Sequence, residues 1–113
     1  MHLINKKLLT ALSPLSVPVA FQHYTGQAET YITVHEYLQE GDEYDDDEET
    51  LTTHLVQVDI WSKGDYITLV SQVKFMLGQA GFKRISEEDL YEPDTGIYHK
   101  GLRFFYLEMK EEE

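Results

Sequence analysis

The sequence predicts one α+β domain, a mostly antiparallel sheet of about four or five strands with two helices. Segments with helical and strand periodicity follow one another as helix, strands, helix, strands. Residues 66–80 carry apolar side chains at Tyr66, Leu69, Val70, Val73, Met76, Leu77 and Ala80, the spacing of an amphipathic helix. Residues 30–38 and 51–61 alternate with period two and are rich in β-branched and aromatic residues, as strands are.

Residues 2–12 read as a short helix, with Leu3, Ile4, Leu8, Leu9 and Leu12 near helical spacing. Ser13-Pro14 ends it, because proline disfavours helical backbone in the residue before it. Residues 17–21 read as a short strand, and Pro18 assigns it to an edge or a strand start. Thr25-Gly26-Gln27 is a turn. In 30–38, Ile32, Val34 and Leu38 point one way with Glu36 interrupting them, and Tyr31, Thr33, His35 and Tyr37 point the other way. An acidic loop is expected over 39–50. In 51–61, Val56, Val58 and Ile60 oppose Leu55, Gln57, Asp59 and Trp61. The two strands are expected to form a long hairpin with the acidic segment at its tip. Asp65 is the expected N-cap of the second helix, and Gly81 suits the position past its end. A short strand is expected at 82–86 and a turn at Glu92-Pro93-Asp94-Thr95-Gly96. Residues 102–109 form the last strand, apolar on both faces, so it is either covered twice or turns one face to a partner. The tail 110–113 is expected to fray.

At 113 residues the chain is one domain's worth, large enough for a core without staples. It has no cysteine, which excludes disulfides and thiolate metal sites. No apolar run has the length of a membrane span, and no secretion signal is expected. The net charge of −12 is unevenly spread. Between Leu8 and Trp61 there are eleven acids and no Lys or Arg, while the rest holds ten acids and nine bases. That field argues against a nucleic-acid or anionic-membrane grip.

Eight of the ten residues 40–49 are acidic, and this run invites a calcium reading. An EF-hand loop needs glycine sixth and glutamate twelfth. Counting from Asp45, those positions hold Thr50 and Val56, and counting from Asp42, the third position is Tyr44. Neither register fits, and a solvated, self-repelling, mobile loop is expected instead. His2, His23, His35, His54 and His99 include no pair at helical zinc spacing, although the expected hairpin pairs the strands bearing His35 and His54. Ser62, Ser71 and Ser86 have no nucleophile motif around them, and the glycines make no phosphate loop. Asp59, mid-strand between Val58 and Ile60, is a candidate catalytic acid, but an inter-subunit ion pair or an exposed strand face accounts for it better. Trp61 and the eight tyrosines are interface-type aromatics, and core packing explains most of them. No metal, cofactor or catalytic site is expected.

Gln57-Val58-Asp59-Ile60-Trp61-Ser62 leads directly into a helix and then Gly81-Phe82. The chain closes with Asp89-Leu90-Tyr91-Glu92-Pro93-Asp94-Thr95-Gly96-Ile97-Tyr98-His99-Lys100-Gly101-Leu102-Arg103-Phe104. With the upstream Val17-Pro18-Val19 and Tyr31-Ile32-Thr33-Val34, this resembles the tail terminator, or head–tail joining, proteins of long-tailed bacteriophages and prophages, from about residue 15 to 108. The resemblance implies a curved sheet flanked by two helices. It implies a homo-oligomeric ring, typically a hexamer, in the tail or neck of the virion and made in the bacterial host's cytoplasm. The ring would bind the tail tube protein and the head's connector, with no enzyme activity and no cofactor.

In such a ring the expected contact residues are Asp59, Trp61, Lys100, Arg103, Phe104 and Tyr106. The acidic segment with Asp42, Glu43, Asp45, Asp46, Asp47, Glu48 and Glu49 is the candidate to face the lumen, where negative charge keeps DNA from sticking, or to dock a partner. The rival expectation is a monomeric or dimeric acidic binding module, such as an inhibitor that mimics DNA. A third is a small acid–base enzyme using Asp59 with His35 or His54.

Overall fold

The computed structural model describes residues 3–45 and 48–109, and the side chains among them outside 40–50. The expected frayed tail and the acidic side chains assigned to a lumen or docking loop lie outside the described residues. The elements in order are α1 (Leu3–Leu12), β1 (Val19–Phe21), β2 (Thr30–Asp45), β3 (Glu48–Ser62), α2 (Ile67–Gln79), β4 (Lys83–Glu92) and β5 (Ile97–Met109). The five strands form one open sheet in the order β1-β2-β3-β5-β4. Among the described strands only the β1–β2 pair is parallel. The fold is α+β, as the order of periodic segments predicts.

Both helices share one core with one face of the sheet. Ile4, Leu8 and Leu12 of α1 and Val70, Val73 and Leu77 of α2 are buried with Ile32, Val34, Val56, Val58, Ile60, Leu102 and Phe104. No described helix packs on the other face. Alternation along β3 therefore divides the strand cleanly: even positions from Val56 to Ile60 enter the core, and odd positions from Leu55 to Trp61 stand on the open face.

Several boundaries move from their sequence-based positions. Backbone pairing of β2 with β3 runs on from Gln39↔His54 to Asp45↔Glu48, so strand replaces much of the expected loop. A register shift between Glu36 and Leu38 inserts Tyr37 as an extra residue and sets Leu38 opposite Leu55. Leu38 thus leaves the row of Ile32 and Val34 for the open face, where it is exposed. β4 is twice the expected length, and β5 begins five residues before the expected 102. Asp65 is not the cap residue itself. Tyr66 takes that position without a side-chain cap, and the Asp65 carboxylate accepts from the Ile67 N–H at 2.9 Å.

The end of α2 follows expectation. Gly81 adopts φ 98°, the Gly81 N–H donates to Gly78 O at 3.1 Å, and the Phe82 N–H donates to Leu77 O at 2.9 Å. This pair of bonds satisfies the last carbonyls, and the buried Phe82 seals the helix end.

Candidate functional site

The open face is built by register. Trp61 of β3 pairs with Tyr31 of β2 and with His99 of β5, so the three rings form a row across the sheet. Their centroids are 6.0 Å (Tyr31–Trp61) and 3.9 Å (Trp61–His99) apart, nearly parallel, and Tyr24 extends the stack over Tyr31 at 4.4 Å. The Trp61 indole N–H donates to Thr33 Oγ1 at 3.0 Å. Burial, followed by the charge of Glu92, raises the Tyr31 hydroxyl above its ordinary pKa.

Asp59 occupies the next row, between Thr33 and Gly101. Gly101 leaves the room that the carboxylate uses, since a Cβ there would stand 3.3 Å from Asp59 Oδ1. Asp59 is only 6% exposed. His99 Nε2 lies 2.6 Å from its Oδ1, and Gln57 Nε2 donates to Oδ1 at 2.9 Å and to Oδ2 at 3.1 Å. Gln57 Oε1 accepts from Arg103 Nε at 3.2 Å, and the Arg103 guanidinium lies 5.0 Å from the centroid of the Tyr37 ring. His99, Asp59, Gln57 and Arg103 thus form one chain of polar contacts across β3 and β5. The buried carboxylate orients its neighbours, and the exposed guanidinium is the outward-facing end.

The structure separates the expected contact residues. Trp61 and Arg103 are on the open face, with Arg103 exposed and Trp61 half-buried in the ring stack. Asp59 is beneath them and fully engaged. Phe104 is a correction: at 2% exposure on the opposite face it belongs to the core and has no surface to offer a partner. Tyr106 also faces the helix side, against Phe82 at 5.1 Å and under Lys7 at 4.9 Å. Lys100 is paired within the chain, 3.1 Å from Asp89 and 3.2 Å from Glu87. Burial would lower its pKa, but the bonds to Asp89 and Glu87 outweigh burial and hold it above the ordinary lysine value.

His35 and His54 do not meet. His35 pairs with Gln57 on the open face, while His54 is on the helix side, 1% exposed, with Glu36 at Nδ1 and Glu108 at Nε2, 2.8 Å away. The two carboxylates lie on opposite sides of the ring, so they share no point at which one ion would meet all three groups. Among the described residues there is no cluster of three or more His, Asp or Glu arranged to hold a metal. Asp59's histidine partner is His99, which the sequence reading passed over. A mid-strand glycine across the ladder from a mid-strand acid is the signal that could have found it.

No described helix is long and apolar enough to cross a membrane. In comparisons with known proteins, no family model matches the chain and no curated protein matches it.

Proposed function

We propose that the chain is a structural ring-former of the tail terminator, or head–tail joining, type. Its subunits associate side by side, cap the phage tail tube and join it to the head's connector. The observation that carries this reading is the helix-free sheet face, where Arg103 and a ladder of aromatic rings surround a buried, fully hydrogen-bonded Asp59. Aromatic side chains and arginine are the residues enriched at protein interfaces. A carboxylate locked under them fixes their positions before contact and so lowers the ordering cost of association. The ring copy number is proposed to be six, the host compartment the bacterial cytoplasm, and the final site the neck of the virion.

Light scattering on the purified chain, alone and with tail tube protein, tests this directly. A ring mass, or saturable binding to tube protein, is expected. A chain that stays monomeric at high concentration and ignores tube protein overturns the reading. The acid-rich first half, with eleven acids and no Lys or Arg between Leu8 and Trp61, would then favour an acidic module that binds a basic protein.

A further inference from the structure

A second surface lies on the helix side, near the base of the β2–β3 pair. A groove of about 420 Å³ opens between α2 and the β4–β5 pair, lined among others by Tyr66, Ile67, Val70, Lys74, Asp89 and Lys100. Ile67 is the exposed apolar residue of the lining, and Phe75 stands beyond it on the same helix. Ile67 is 72% exposed, and Phe75, two turns further along α2, is 66% exposed. Ser71, also in the lining, joins them in one i, i+4 row.

Lys74, Asp89 and Lys100 of the lining belong to an ion network that extends beyond the groove to Arg84 and Glu87. Lys74 Nζ lies 2.6 Å from Glu87 Oε2, Arg84 Nη1 lies 3.0 Å from the same oxygen, and Lys100 bridges Glu87 and Asp89. Three bases thus face two acids, in a chain whose net charge is −12. Just before α2, Lys63 adds an exposed cation and Asp65 an exposed acid. An anionic segment with an aromatic residue would find both apolar walls and a favourable charge here.

The chain contains one such segment. Residues 40–49 hold eight carboxylates with Tyr44 among them. They cannot reach the groove of their own chain. Lys100 pairs with Ile60, and β3 begins at Glu48, twelve residues earlier. At about 3.3 Å per strand residue Glu48 lies roughly 40 Å away, and Glu40, opposite Thr53, lies roughly 23 Å away, along a body 53 Å long. We propose that this groove receives the 40–49 segment of a second copy of the chain. A contact between unlike surfaces, repeated from copy to copy, closes a ring. The proposal deepens the ring reading and rests on it for its biological setting, yet the groove can be tested without a ring.

The probe is a fluorescein-labelled peptide of residues 39–50, titrated with the full chain whose eight acids at 40–49 are changed to Asn and Gln, so that the acceptor cannot occupy its own groove sites. Saturable anisotropy is expected, weakened by about 0.5 M salt. Ile67→Glu and Phe75→Glu, both at exposed positions, should each lower the affinity about tenfold while far-ultraviolet circular dichroism stays unchanged. No saturable binding to this acceptor or to the wild-type chain, or binding indifferent to both substitutions, overturns the groove. Light scattering on the same substitutions in the wild-type background reads the ring separately. A ring that persists without peptide binding retains the ring and rejects the groove. Peptide binding to a chain that never exceeds a monomer retains the groove and rejects the ring.

Discussion

Arg103 is exposed yet positioned: its Nε donates to the Gln57 side-chain oxygen, and its guanidinium carbon lies 5.0 Å from the Tyr37 ring centroid. Arg103→Glu should therefore leave the monomer folded, at a cost below about 1 kcal/mol because the site is exposed. It should weaken self-association, measured by light scattering. In a phage or prophage carrying the change, tails should grow to irregular lengths or fail to join heads. Unchanged assembly and tail length would remove Arg103 from the contact. His54 is the opposite case. Each ring nitrogen faces a carboxylate, Glu36 at Nδ1 and Glu108 at Nε2, so the buried ring is held from both sides. His54→Ala would leave Glu36 and Glu108 without the group between them. It should cost about 1–3 kcal/mol in urea unfolding, the range for removing one partner of a buried hydrogen bond. A cost under about 1 kcal/mol would show that the carboxylates find other partners freely.

At the scale of elements, α2 is the part of the fold whose sequence pattern and packing agree most closely. Its Val70, Val73 and Leu77 stripe enters the core, and Leu69 and Met76 pack at its margin. Leu77 is fully buried, and Leu77→Ala should cost about 2–5 kcal/mol by chemical denaturation, whereas under half that lower figure would mean the site collapses around the loss. The edge strands are the weaker elements. β1 spans three residues and has Pro18 before it, while β4 is exposed along its whole length. β4 carries Lys83, Arg84, Glu87, Glu88, Asp89 and Glu92, and a register shift between Arg84 and Ser86. Charge and irregularity of this kind guard an edge against unwanted strand pairing.

Across the whole molecule, charge is divided between an acidic segment and a network of paired bases. The Lys74 ammonium lowers the Glu87 pKa, with Lys100 adding to it; the Tyr66 hydroxyl lowers that of Asp89, again with Lys100. A carboxylate with a depressed folded pKa contributes stability that is present above the ordinary carboxylate value and lost as pH falls through the folded one. The loss therefore belongs below about pH 4. Both groups are about a third or more exposed, so the effect is small and screened by salt. The stability difference between the wild type and Glu87→Gln should shrink between pH 7 and pH 3 in urea titrations. A difference that stays constant over that range would assign Glu87 no role as a charge. Lys100 runs the other way: its raised pKa contributes below the ordinary lysine value and is lost as pH rises through the folded one.

The fold class, the buried face of α2 and the glycine that ends it are legible in the sequence, and Pro18 limits β1 to an edge or a strand start. Each of these follows from local periodicity or backbone restriction, which neighbours in the chain can express. The sequence understated β4 because Ser86-Glu87-Glu88-Asp89-Leu90 shows no apolar alternation, and that segment is a strand through the hydrogen bonds β5 offers it. Tertiary structure alone decided that Leu38 leaves the core row, that Phe104 and Tyr106 face the helices while Arg103 faces outward, and that Asp59 meets His99 across forty residues of chain. Pairing register sets those outcomes: a shift of one residue turns every following side chain to the other face, and no short stretch of sequence carries that information.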